Sequence, residues 1–124
     1  MSKTPLRDFK NLCRELREDD WRTPDTYCKD FAAIKDVPAV YMFLLVDNCA
    51  FDKALVAYVG MSTRLNQRLI GHPVLAEIET PGYWSMRWFK PTPARSLRAV
   101  ESSYITKFDP PWNIMGRPRG VVLQ

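Results

Sequence analysis

Eight consecutive apolar residues, Ala39 to Val46 (A-V-Y-M-F-L-L-V), limit the folds open to this chain more than any other stretch. The run is short, rich in strand formers and bounded by Pro38 and Asp47-Asn48, which predicts a central strand. Asp47 to Lys53 then supplies a turn, and Ala54 to Val59 a hairpin partner. A third strand is expected over Gly82 to Phe89, which carries Tyr83, Trp84, Met86 and Trp88. Thr92-Pro93 opens a helix from Ala94 to Lys107, stopped before Asp109-Pro110-Pro111. Upstream, Leu6, Phe9, Leu12, Cys13 and Leu16 recur at helical spacing and predict an amphipathic helix over Leu6–Asp20, started by Thr4-Pro5. Its expected role is packing, either over the sheet or against a second subunit. Between Trp21 and Pro38 the pattern is less regular, with a turn or helix start at Thr23-Pro24-Asp25 and a short helix over Tyr27–Ile34. The predicted class is α/β in the α+β sense. A small three-stranded, mainly antiparallel sheet is flanked by helices, with an extra N-terminal helix.

With 124 residues the chain makes one domain. Residues 1–36 read as a helical N-terminal extension, 37–116 as the core and 117–124 as a basic tail. Three cysteines without a C-x-x-C pair, and a single histidine, argue against a zinc site. No apolar signal core or membrane-length run is present, so a cytoplasmic chain with reduced thiols is expected. The net charge is +4, and the first 38 residues are balanced, so the positive excess falls on residues 39–124. That distribution suits a polyanion-binding body.

The stretch Tyr58 to His72, Y-V-G-M-S-T-R-L-N-Q-R-L-I-G-H, carries the first functional signal. It is expected to turn at Gly60 and to open a short helix at Ser62, limited by Pro73. On that helix Leu65, Arg68, Leu69 and His72 share one face, so an arginine and the only histidine are predicted beside the core. A second signal lies in the last helix. There Glu101 interrupts the apolar stripe Leu97, Val100, Tyr104 and Phe108. A carboxylate so placed needs an ion partner such as Arg68, or a cation. Pro110-Pro111-Trp112-Asn113-Ile114 then forms a rigid loop that holds Asn113 in place.

These residues resemble the GIY-YIG nucleases, most closely the small stand-alone phage-type endonucleases of that family. Ala39-Val40-Tyr41 is similar to the first signature and Tyr58-Val59-Gly60 to the second. Arg68, His72, Glu101 and Asn113 follow in the family's order, and the resemblance covers about residues 37 to 116. Three departures stand out. Ala39 replaces a glycine, sixteen residues lie between Tyr41 and Tyr58, and Met61 stands where some repair members carry a lysine.

The resemblance implies a catalytic core that hydrolyses nucleic-acid phosphodiesters, with DNA expected and RNA possible. Glu101 would hold one Mg²⁺ or Mn²⁺. Arg68 would grip the phosphate oxygens, and Tyr41, helped by Tyr58, would act as general base. His72 would relay the proton or bond the phosphate, and Asn113 would orient a neighbour. Backbone contacts are expected from Arg64, Arg87, Lys90, Arg95, Arg98, Lys107, Arg117 and Arg119. A phage or mobile-element setting and a homo-oligomer formed through the first helix complete the expectation. Two rivals use the same fold: a nucleic-acid-binding module that does not cut, and a structural or inhibitory subunit.

Overall fold

The computed structural model describes residues 6–23, 36–47, 52–69, 72, 74, 78 and 82–113. Its elements are β1 (Arg7–Asp8), α1 (Phe9–Glu18), β2 (Ala39–Asp47), β3 (Lys53–Ser62), α2 (Leu65–Leu69), β4 (Tyr83–Pro91), a 3₁₀ turn (Ala94–Ser96) and α3 (Leu97–Phe108). The class is α+β, with an antiparallel sheet in the order β1-β3-β2-β4.

The sheet has four strands where three were expected. The extra one is the two-residue piece Arg7–Asp8 paired with Ala54 and Lys53. Two exposed charged residues carry no alternating apolar signal, so nothing in the sequence marked them as strand. Asp8 then caps α1, its carboxylate accepting from the Asn11 N–H at 2.8 Å. The cap expected at Thr4-Pro5 lies outside the described residues, as do the short helix at Tyr27–Ile34 and Pro24-Asp25 of the turn before it.

β2 is buried along its length and hydrogen-bonded on both edges, to β3 and to β4. Strict alternation divides its side chains between two apolar layers. Val40, Met42, Leu44 and Val46 face the first, with Leu12 and Leu16 of α1 and Leu97 and Tyr104 of α3. Ala39, Tyr41, Phe43 and Leu45 face the second, with Leu65 and Leu69 of α2. The first helix therefore covers the sheet, one of the two roles anticipated for it.

In β3 the pairing slips by one residue. Phe43 opposes Tyr58, Leu44 opposes Val56, and Ala57 has no partner. Such a bulge resets the alternation, so Leu55 and Tyr58 share one face although three residues apart.

Polar ties close the α1–α3 layer. Lys107 pairs with Glu15 at 2.7 Å, and the Tyr104 hydroxyl donates to the Asp19 carboxylate. Burial, with the bond to Asp19 acting the same way, pushes Tyr104 up to about 12. Burial also acts to raise Asp19, but its bonds from Tyr104 and Lys90 outweigh that and hold the carboxyl below its ordinary value. No described helix is long and apolar enough to cross a membrane.

A depressed folded-state pKa means that Asp19 contributes stability above its unfolded value, near 4, and that the contribution disappears as the folded group protonates. Asp19→Asn should therefore lower the urea midpoint at pH 7. The gap to the natural chain should close on acidification below pH about 4. Midpoints measured from pH 7 down to pH 3 check this.

Candidate active site on the second face of the sheet

Tyr41 is the centre of the second layer. It is 1% exposed, and its ring lies against Gly60, its cross-strand partner in β3. A Cβ at Gly60 would stand 2.5 Å from both Cζ and Oη of Tyr41 and 2.9 Å from Cε2 of Tyr58. The turn expected at Gly60 does not form there. The glycine is in mid-strand, and what it supplies is room.

The strand instead continues to Ser62, whose hydroxyl accepts from the Arg64 N–H at 3.0 Å. α2 begins later than expected, at Leu65, whose N–H is taken by the Val37 carbonyl at 3.1 Å. Leu65 and Leu69 are buried as predicted, whereas Arg68 is exposed. Its long side chain nevertheless brings the guanidinium to the Tyr41 hydroxyl.

His72, 3% exposed, bonds Tyr41 Oη through Nε2 at 2.8 Å, and its Nδ1 accepts from the Val74 N–H at 3.1 Å. The imidazole packs edge-on to Tyr41, Phe43 and Tyr58, at 5.6, 5.2 and 5.4 Å between ring centres. Tyr58 stacks on Phe43 at 5.8 Å. Burial, followed by the charge of Arg68, pushes His72 down to about 4, so the ring is neutral at pH 7. Burial is also the main reason that the Tyr41 phenol is well above its ordinary value. The neighbouring Tyr58 adds to that rise and Arg68 opposes it.

Asn113 completes the framework from outside. Past β1 the outer edge of β3 has no strand partner among the described residues, and the turn after α3 closes it. The Trp112 N–H donates to the Ala57 carbonyl at 3.1 Å. The Asn113 amide accepts from Val59 N at 2.7 Å and donates to Val59 O at 2.6 Å, imitating a ladder partner beside Tyr58. Asp109 in the left-handed region, φ 45°, ends α3 and starts this turn. Ile114 lies outside the described residues.

Glu101 is not brought to this cluster. α3 packs its apolar side on the first layer, and Glu101 sits half-buried within that stripe. No ion pair with Arg68 forms. Among the described residues its electrostatic neighbour is Arg98, three positions back on the same helix. Burial raises the Glu101 carboxyl, and Arg98 only partly offsets the rise. Among the described residues no group of three His, Cys, Asp or Glu side chains is gathered to hold a metal. A half-buried carboxylate with so little compensation fits a hard cation only as a single protein ligand, the ion keeping most of its water.

The basic residues divide. Lys90 bonds the Asp19 carbonyl and lies 3.5 Å from its carboxylate, which makes it a structural tie between β4 and the end of α1 and not a free phosphate contact. Lys107 is held by Glu15, and Arg64 pairs with Asp36 at 2.9 Å on the surface. Arg87 stands half-buried on β4, opposite Phe43. Arg95 and Arg98 are exposed at the start of α3, and Arg117 and Arg119 lie outside the described residues. The sequence missed the bulge at Ala57 and the backbone N–H of Val74, which carry no side-chain signature.

No family model, characterised protein or solved structure matches this chain.

Gly60→Ala should force the buried Tyr41 ring aside and cost about 1–3 kcal/mol, the usual penalty for overpacking. Urea unfolding measures the cost. An Nε2 resonance of His72 that shifts in the variant would report the displaced hydroxyl.

Proposed function

We propose that this chain hydrolyses phosphodiester bonds in nucleic acid, with DNA as the expected substrate. The observation that carries the proposal is the gathering of Tyr41, Tyr58, Arg68 and His72 on one face of the sheet, over a glycine that admits no side chain. A core tyrosine needs one partner for its hydroxyl. This one has a histidine, a second tyrosine and an arginine reaching in from solvent.

The chemistry follows from what each group can do. Arg68, exposed and fixed at one end by α2, offers a planar fork of donors to the non-bridging oxygens of a phosphate. As charge builds on those oxygens in the transition state, such preorganised donors become worth more. The tyrosine pair supplies the proton acceptor for the attacking water. Neutral His72 holds Tyr41 in place, and Asn113 fixes the strand that carries Tyr58. A Mg²⁺ or Mn²⁺ ion on Glu101, when bound, would supply positive charge to polarise the phosphate and ease departure of the leaving oxygen. Arg95 and Arg98, on the same helix as Glu101 or just before it, would meet the flanking backbone.

A second reading, a nucleic-acid-binding module that does not cut, is favoured by one observation. α3 packs on the face of the sheet opposite Tyr41, which separates Glu101 from the tyrosine cluster.

Supercoiled plasmid incubated with the protein and Mg²⁺ decides between them. Nicking is expected, with Arg68→Ala slower by roughly 10²–10³-fold and Glu101→Ala inactive at the same protein concentration. Binding of the plasmid without nicking by the natural chain would establish the second reading.

A further inference from the structure

We infer that the hydrogen bonds of this cluster run in one direction, from His72 through Tyr41 to Tyr58, so that Tyr58 is the hydroxyl that meets the phosphodiester. His72 and Tyr41 are then positioning residues. The chemical consequence rests on the hydrolase reading, whereas the bond from His72 to Tyr41 stands on the fold alone.

The direction is set at Val74. Its N–H donates to His72 Nδ1 at 3.1 Å, and a ring nitrogen that accepts carries no proton. In a neutral imidazole the proton is then on Nε2. The bond of 2.8 Å to Tyr41 is therefore Nε2–H donating to the phenol oxygen. Among the described residues the other polar group at that hydroxyl besides Tyr58 is Arg68, a guanidinium that can only donate. Two donors occupy both acceptor positions of Tyr41 Oη. Its own O–H has one use left, donation to the neighbouring Tyr58, whose ring centre lies 6.2 Å from that of Tyr41.

Access points the same way. Tyr41 is 1% exposed and walled by Gly60, Phe43 and His72, so neither water nor phosphate reaches an unused lone pair. Tyr58 is half-buried, with one side against Phe43 and His72. In the proton transfer, Tyr58 acts as phenolate after losing its proton to solvent. It takes a proton from water as the water oxygen bonds to phosphorus and the bond from phosphorus to the leaving oxygen breaks. The leaving oxygen then takes a proton from solvent. The Tyr41 O–H stays where it is and donates to the charged Tyr58 oxygen throughout.

The chain has one histidine, so the ring nitrogens of a ¹⁵N-labelled sample give a single unambiguous set of signals. Long-range ¹H–¹⁵N correlation on the full chain at pH 7 should show Nε2 protonated and Nδ1 bare. A proton on Nδ1, on both nitrogens, or averaged between them would overturn the order of the bonds. In plasmid nicking, Tyr58→Phe should lose roughly 10²-fold or more, the range for a general base, and Tyr41→Phe about tenfold or less. The reverse ranking would overturn the assignment of Tyr58 and leave the hydrolase reading intact. His72→Gln, whose amide can still donate to Tyr41, should retain more rate than His72→Leu, and equal losses would also count against the inference. If the natural chain does not nick, the hydrolase reading fails, and the ring-nitrogen spectrum alone decides the order.

Discussion

A single unpaired residue, Ala57, determines which side chains of β3 can meet Tyr41. With uninterrupted alternation, a strand that turned Leu55 toward α2 would turn Tyr58 toward α1 and α3. The bulge inserts one residue, and from there to Ser62 the strand presents the opposite set of side chains. Tyr58 and Gly60 then lie beside Phe43 and Tyr41, and Val59 and Met61 join the α1–α3 layer. The Ala57 carbonyl is taken by the Trp112 N–H and both backbone groups of Val59 by the Asn113 amide, so the irregular segment is tied from its open edge. A bulge left unpinned would be free to slip back into register. Here the turn after α3 holds it.

Much of the architecture could be read from residue order, because it rests on strong local signals. The apolar run at Ala39–Val46, the amphipathic spacing from Phe9 to Leu16 and the Thr92-Pro93 helix start all correspond to described elements. What could not be read depends on backbone groups or on absent side chains. Arg7–Asp8 pairs through its main chain, and a two-residue strand has no period to detect. Gly60 looks like a turn residue in sequence because glycine favours turns, yet its use here is to leave a space that Tyr41 fills. The spacing put Arg68 on the core face of α2 with Leu65 and Leu69, but the residue is exposed, and only its long side chain reaches inward to Tyr41. Glu101 shows the converse. Its position within an apolar stripe was plain, but the stripe did not reveal which face of the sheet it would cover.

The charged residues illustrate how little composition alone decides. Of the basic side chains counted toward a polyanion surface, Lys90, Lys107 and Arg64 are each engaged by an acidic neighbour. Two of those pairs join α1 to the rest of the molecule, Lys90 from β4 and Lys107 from α3. Such exposed pairs contribute little each, on the order of 1 kcal/mol or less. They matter more as alignment, since they hold the helix whose Leu12 and Leu16 close the first layer. Arg68, Arg95 and Arg98 are exposed, the first on α2 and the other two near the start of α3.

The two buried tyrosines differ in where their hydrogen bonds lead. Tyr104 donates to Asp19, packs edge-on against Trp21 at 5.0 Å and so fastens α3 to the end of α1. Its partner Asp19 is also held by Lys90, so the Tyr104 bond ends in an ion pair that joins α1 to β4. Tyr41 is also satisfied, because an unpaired buried phenol would be costly. Its partners, however, form a chain with a rigid end at the Val74 backbone and an accessible end at Tyr58 and Arg68. The convergence of a histidine, a second tyrosine and an arginine on one hydroxyl, over a glycine that cannot be enlarged, is the physical ground for proposing this cluster as a site.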